Sequence, residues 1–93
     1  MGDDKIKISR ETVIINELGL HARSAAQIAK LAARARFKVW VAKGGESVEA
    51  KSIMDLLSLE CPQGTRLEIT IEDASDMEVL NRIESLIENG FGE

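Results

Sequence analysis

The stretch Phe37-Lys-Val-Trp-Val-Ala42-Lys-Gly44-Gly45-Glu-Ser-Val48-Glu-Ala50 alternates apolar and polar side chains on either side of a glycine pair. Period two is strand geometry, and it puts Phe37, Val39 and Val41 on one face. Gly44-Gly45 supplies the positive φ of a tight hairpin, so Val48 and Ala50 belong to an antiparallel return strand. Before the hairpin, from Ala22 to Ala35, Ala25, Ile28, Ala29, Ala32 and Ala35 recur at steps of three and four. That spacing predicts a helix with a narrow, closely packed apolar face. After the hairpin, Ser52 can cap a short helix over 53–59, which Pro62 and Gly64 terminate.

Further out, Thr12-Val13-Ile14-Ile15 marks a first strand over 11–16, with the leader 1–10 either extending it or loose. Arg66 to Glu72 alternates again, with Leu67, Ile69 and Ile71 facing inward. Ser75-x-x-Glu78 reads as a capping box opening a last helix, with the stripe Val79, Leu80, Ile83, Leu86, Ile87. Gly90 stands where a left-handed residue ends a helix. The order is βαββαβα. Alternation on one face of each strand points to an antiparallel or mixed sheet covered by helices on one side. The fold class is α+β, a two-layer sandwich with a split βαβ arrangement. Residues 11–90 form one domain, and 91–93 a C-terminal tail.

Length and charge remove several functions. A chain of 93 residues has room for one core. Sixteen acidic residues against 12 basic give a net charge of −4, and the only aromatics are Phe37, Trp40 and Phe91. A nucleic-acid binder ordinarily shows a basic excess and aromatic platforms, so nucleic acid is not an expected partner. No apolar run approaches the roughly 20 residues of a bilayer span, and Met1 to Lys5 lack a signal-peptide pattern. The lone Cys61 makes no internal disulfide and suits a reducing compartment, so a cytoplasmic location is expected. With no basic neighbour to activate it, Cys61 is expected to pack as a small apolar residue. Trp40 carries no expected function.

Chemistry concentrates at one junction. No nucleotide-binding glycine loop is present, and one histidine with one cysteine forty positions away builds no ordinary zinc site. Neither a metal nor a cofactor is expected. What stands out is Gly19-Leu20-His21-Ala22-Arg23-Ser24-Ala25-Ala26, which puts the single histidine at the mouth of the first helix. The first turn of a helix leaves aligned N–H groups unpaired, equivalent to roughly half a positive charge. An anion placed there meets donors already aimed at it. Arg23 can turn a permanently charged fork toward the same point. Imidazole ordinarily titrates close to neutrality, which leaves a nucleophilic fraction at cellular pH. The combination suits an imidazole that receives a phosphoryl group. A polar cap or a solvated side chain is the plainer alternative for His21, although an arginine in a first turn calls for a compensating anion.

Gly19 to Ala26, together with Lys51-Ser52-Ile53-Met54 and Pro62-Gln63-Gly64-Thr65, resembles the HPr family of phosphocarrier proteins over about Glu11 to Gly90. Asn16-Glu17-Leu18-Gly19 and Gly90-Phe91-Gly92-Glu93 resemble its nitrogen-related branch, NPr. The resemblance implies an open-faced β-sandwich, a four-stranded antiparallel sheet with three helices on one face. It implies a phosphocarrier of the phosphotransferase system, without turnover of its own. The group would come from enzyme I, charged by phosphoenolpyruvate, and go to IIA-type acceptors. His21 would carry it at Nδ1 with Arg23 as electrostatic partner, as a transient group and not a cofactor. A monomer is implied.

Two departures stand out: Ser24 where the family usually has proline, and Asp55, with Glu60 following, on the second helix. Ser24 relaxes φ but offers a hydroxyl. Ser52 matches the serine that HPr kinase/phosphorylase modifies in some bacteria, and a phosphate at a helix start is electrostatically tolerated. A cap worth about 1 kcal/mol explains the same serine without regulation. A carrier that releases its partners quickly needs a small contact surface, apolar around the reacting atom. Leu20, Ser24, Lys30, Met54 and Leu57 are the candidates, with core packing the alternative for the apolar ones. A different reading stays open: a non-transferring regulatory module that binds partners through the first two helices.

Overall fold

In the computed structural model, residues 7–93 are described; Ile6 and the rest of the leader before it lie outside them. The chain forms β1 (Ile8–Val13), α1 (Ala22–Ala32), β2 (Val39–Lys43), β3 (Glu46–Glu49), α2 (Ile53–Ser58), β4 (Arg66–Ile71) and α3 (Met77–Glu88). Short 3-10 turns at Ala74–Asp76 and Gly90–Gly92 flank α3. The four strands make one sheet in the order β1-β4-β2-β3, antiparallel throughout. This is the α+β open-faced sandwich expected from the sequence.

Alternation decides which face is covered. Val39, Val41, Leu67, Ile69 and Ile71 are buried beneath the helices with Ile28, Leu56, Leu80, Ile83 and Ile87. Their neighbours on the other face stay in contact with water. There Ser9 Oγ and Thr70 Oγ1 pair at 2.7 Å, and the Trp40 indole N–H donates to Glu72 Oε2 at 2.9 Å. The Lys38 ammonium lies 5.6 Å from the centre of the Trp40 ring.

Several boundaries differ from the expected ones. β1 starts three residues earlier than 11–16, because Ile8, Ser9 and Arg10 find partners in Ile71, Thr70 and Ile69. Ile14 lies past the strand yet still exchanges backbone bonds with the 62–65 turn, to Thr65 O at 2.9 Å and from Gly64 N at 2.7 Å. α1 stops at Ala32, short of Ala35. Just beyond it, buried Asp76 accepts the N–H groups of Arg36 and Phe37 at 2.8 and 2.9 Å, which diverts the chain. Phe37 is consequently 44% exposed and off the strand, not in line with Val39 and Val41. The expected capping box at Ser75 is replaced by Asp73, which accepts from Ser75 N–H at 2.9 Å and opens the 3-10 turn ahead of α3. Gly90 is left-handed, as its position after the helix requires. In the C-terminal segment 91–93, Phe91 is buried.

Candidate functional site

The turn from β1 into α1 is built on Gly19. Its φ of +67° is open to glycine, and a Cβ there would stand 2.5 Å from Cys61 O and 2.8 Å from Pro62 Cα. Leu20 N–H donates to that same Cys61 carbonyl at 2.8 Å, so the turn is fastened to the loop after α2. Cys61 itself is buried, and burial pushes its thiol pKa up, consistent with a packing role.

His21 follows as the N-cap of α1, with extended backbone. Its N–H donates to Ser24 Oγ at 2.9 Å, while the Ser24 hydroxyl lies 3.2 Å from His21 O and 3.3 Å from Gly19 O. The serine that stands where proline was expected thus ties the cap with its side chain. The His21 side chain is 30% exposed, beside a helix end whose first turn carries no acidic residue. Arg23 is exposed on that turn.

The imidazole has a partner that the sequence did not reveal. Nε2 of His21 is hydrogen-bonded to Glu93 Oε2. The other carboxylate oxygen, Oε1, accepts from Asn16 Nδ2 at 2.9 Å, and the same amide donates to Gly19 O at 2.8 Å. These hydrogen bonds, from Asn16 foremost and then His21, hold the Glu93 carboxyl below the ordinary carboxylate range; the Arg23 charge adds a smaller pull. An imidazole, an oriented carboxylate, the exposed Arg23 guanidinium and a helix start lie together here. Such a set can accept an anionic group and stabilise it.

Comparison with known proteins shows the family. The family described as "PTS HPr component phosphorylation site" matches residues 8–89. The chain belongs to the HPr family of phosphocarriers. It is 43% identical over 84 residues to the HPr of Pseudomonas aeruginosa, covering 89% of this chain and 93% of that one. To the HPr of Cupriavidus necator it is 36% identical over 86 residues, covering 92% and 97%. A crystal structure of HPr from Thermoanaerobacter tengcongensis superposes with a TM-score of 0.84 at 36% identity, covering 92% of this chain and 97% of that one.

The remaining candidates in this HPr-family chain divide by burial. Ser52 is the N-cap of α2 and accepts from Asp55 N–H at 3.2 Å. Met54 is 76% exposed, beside Ile53 at 38%. Leu57 is half-buried against the core. Leu20, at 9% exposure, and Ser24, at 0%, are core residues, so neither offers its side chain to a partner. Lys30 is exposed in the last turn of α1, nine residues and about 13 Å of helix axis from His21. No helix among the described residues is long and apolar enough to cross a membrane.

Proposed function

We propose that this phosphocarrier receives a phosphoryl group on Nδ1 of His21 from enzyme I and delivers it to IIA-type acceptors. The observation that carries the reading is the position of the imidazole: part-exposed, at the N-cap of α1, with Nε2 already engaged by Glu93. Nδ1 is the nitrogen left to react. Its lone pair attacks phosphorus as the donor's bond breaks, and the transferred oxygens meet the first-turn amides and the Arg23 guanidinium. Each partner supplies the rest of the in-line site, so the chain has no turnover of its own and needs no cofactor. It works as a cytoplasmic monomer, and exposed Met54 on α2 contributes to the surface that partners touch.

Ser52 is the second site in this proposal, modified by an ATP-dependent kinase of the HPr kinase/phosphorylase type. Its hydroxyl caps α2 through Asp55 N–H. A phosphate there adds charge to the docking face without unfolding the helix.

The test is phosphorylation by enzyme I and phosphoenolpyruvate, followed by intact mass. One acid-labile phosphoryl increment is expected, absent in His21→Ala and slower to form in Arg23→Ala. No increment on the wild-type chain, or an undiminished one on His21→Ala, would reject the carrier and favour the binding module. For Ser52, an acid-stable increment that needs ATP and the kinase should vanish in Ser52→Ala.

A further inference from the structure

Three consecutive residues after α3 have positive φ: Gly90 at 64°, Phe91 at 60° and Gly92 at 76°. For a bulky aromatic this conformation is an outlier, and it persists only where the surroundings hold it. Here the hold is burial, because Phe91 is only 4% exposed and belongs to the core cluster. The reversal carries Glu93 back across 72 residues of sequence onto the ring of His21.

A second cost is tolerated at the same place. Asn16 is 6% exposed, and its Oδ1 is buried without a partner among the described residues. Its amide N–H₂ donates two hydrogen bonds, one to Gly19 O and one to Glu93 Oε1. Turning the amide over would face its oxygen toward two acceptors, so the orientation is chemically determined. An unmade acceptor bond and a left-handed phenylalanine both serve to hold one carboxylate against one imidazole nitrogen.

We propose that Glu93 is a positioning residue for phosphoryl transfer, its carboxylate holding the proton of His21 on Nε2 so that the attacking lone pair lies on Nδ1. An ionised carboxylate only accepts hydrogen bonds, so the shared proton resides on the ring nitrogen. Nε2 is then both protonated and covered. In the transfer step the Nδ1 lone pair forms the P–N bond, and the electron pair of the breaking bond leaves with the donor. No proton has to depart: the imidazolium that results keeps its Nε2 proton, and Glu93 balances the charge. The logic is that of a carboxylate orienting a histidine in hydrolytic triads and metal sites.

This inference rests on His21 being the phosphoryl acceptor, and a donor that needs no docking surface separates the two claims. Potassium phosphoramidate is reacted with the full wild-type chain, His21→Ala, Glu93→Ala and Glu93→Gln. Ring ¹⁵N spectra report the tautomer, and phosphohistidine NMR reports which nitrogen reacts. Wild type is expected to show the Nε2–H tautomer and Nδ1 phosphohistidine. In Glu93→Ala the Nδ1 product should form about tenfold more slowly, with Nε2 product appearing as that nitrogen is uncovered. Glu93→Gln should keep part of the regioselectivity but lose rate. Amide spectra and melting of the variants report folding, which alone moves neither regiochemistry nor tautomer. Wild-type rate, site and tautomer in both Glu93 variants would overturn the positioning role and leave the carrier intact. A wild-type chain indistinguishable from His21→Ala would overturn the carrier itself.

Discussion

Ser24 and His21 are joined across the first turn of α1, His21 N–H donating to Ser24 Oγ at 2.9 Å with the serine wholly buried. Removing the hydroxyl leaves a partly buried N–H unpaired. Ser24→Ala is therefore expected to lose about 1 kcal/mol of stability. Ser24→Pro loses the same acceptor but limits the unfolded chain, a gain of about 0.4–1 kcal/mol where the native φ suits it. It should fall between the alanine variant and wild type, with phosphoryl transfer only slightly changed. Urea denaturation of the three chains checks this, and a Ser24→Ala as stable as wild type would show the hydroxyl to be idle.

Gly19 and Gly44 separate crowding from conformation. Both are left-handed, at φ +67° and +60°, but only Gly19 faces backbone atoms where a Cβ would stand; around Gly44 there is open space. Gly44→Ala should lose about 1 kcal/mol, the conformational part alone. Gly19→Ala adds overpacking against Cys61 and Pro62 and should lose roughly 3 kcal/mol. Because Gly19 aims His21, its variant should also accept phosphate more slowly, whereas Gly44→Ala should not. Equal losses at the two positions would contradict the crowding seen at Gly19.

Glu60 carries strain that glycine would relieve. Its φ is 56°, directly after α2, and Lys43 Nζ donates to the carbonyls of Leu59 and Glu60 at 2.9 and 2.7 Å. A left-handed non-glycine costs about 1–2 kcal/mol, partly offset in Glu60→Gly by the looser unfolded chain. The net expected gain is about 0.5–1 kcal/mol, with none for Glu60→Ala, whose Cβ keeps the strain. Lys43→Ala should destabilise, since two helix-end carbonyls lose their donor. Denaturation midpoints decide, and a Glu60→Gly that melts with Glu60→Ala would show the strain to be absent.

What could be read in the residues were the features whose cause is local. The Gly44-Gly45 hairpin, the alanine stripe of α1 and His21 at the helix mouth each depend on a few adjacent positions. Strand limits were less legible because pairing sets them: β1 reaches back to Ile8 only because β4 extends to Ile71. Asp73 displaced Ser75 as the cap because a carboxylate two residues ahead closes its own tight turn. Leu20 and Ser24 sit beside His21 in sequence, yet both are buried. Glu93 was hidden for the opposite reason. It meets His21 only if Phe91 accepts a conformation that no pattern of apolar residues announces, although two glycines around one aromatic do mark a chain that can reverse.

The Glu93 carboxyl gives the site a pH signature. Its pKa is lowered by the Asn16 hydrogen bond first and the His21 hydrogen bond second, with the Arg23 charge a lesser contribution. A depressed folded-state value means that this contact favours the folded arrangement above the ordinary carboxyl range. The contribution is lost as pH falls through the lowered value, when the protonated carboxyl ceases to be an ionic acceptor. Through neutral and mildly acidic solution the contact should therefore persist. A ¹³C titration of the Glu93 carboxyl should show its midpoint below that of glutamate in a short unstructured peptide. Asn16→Ala and His21→Ala should each move the midpoint back up, and Arg23→Ala should move it less than Asn16→Ala. If Glu93 in the wild-type chain titrated like the peptide glutamate, the carboxylate would not be resting on Asn16 and His21 in solution.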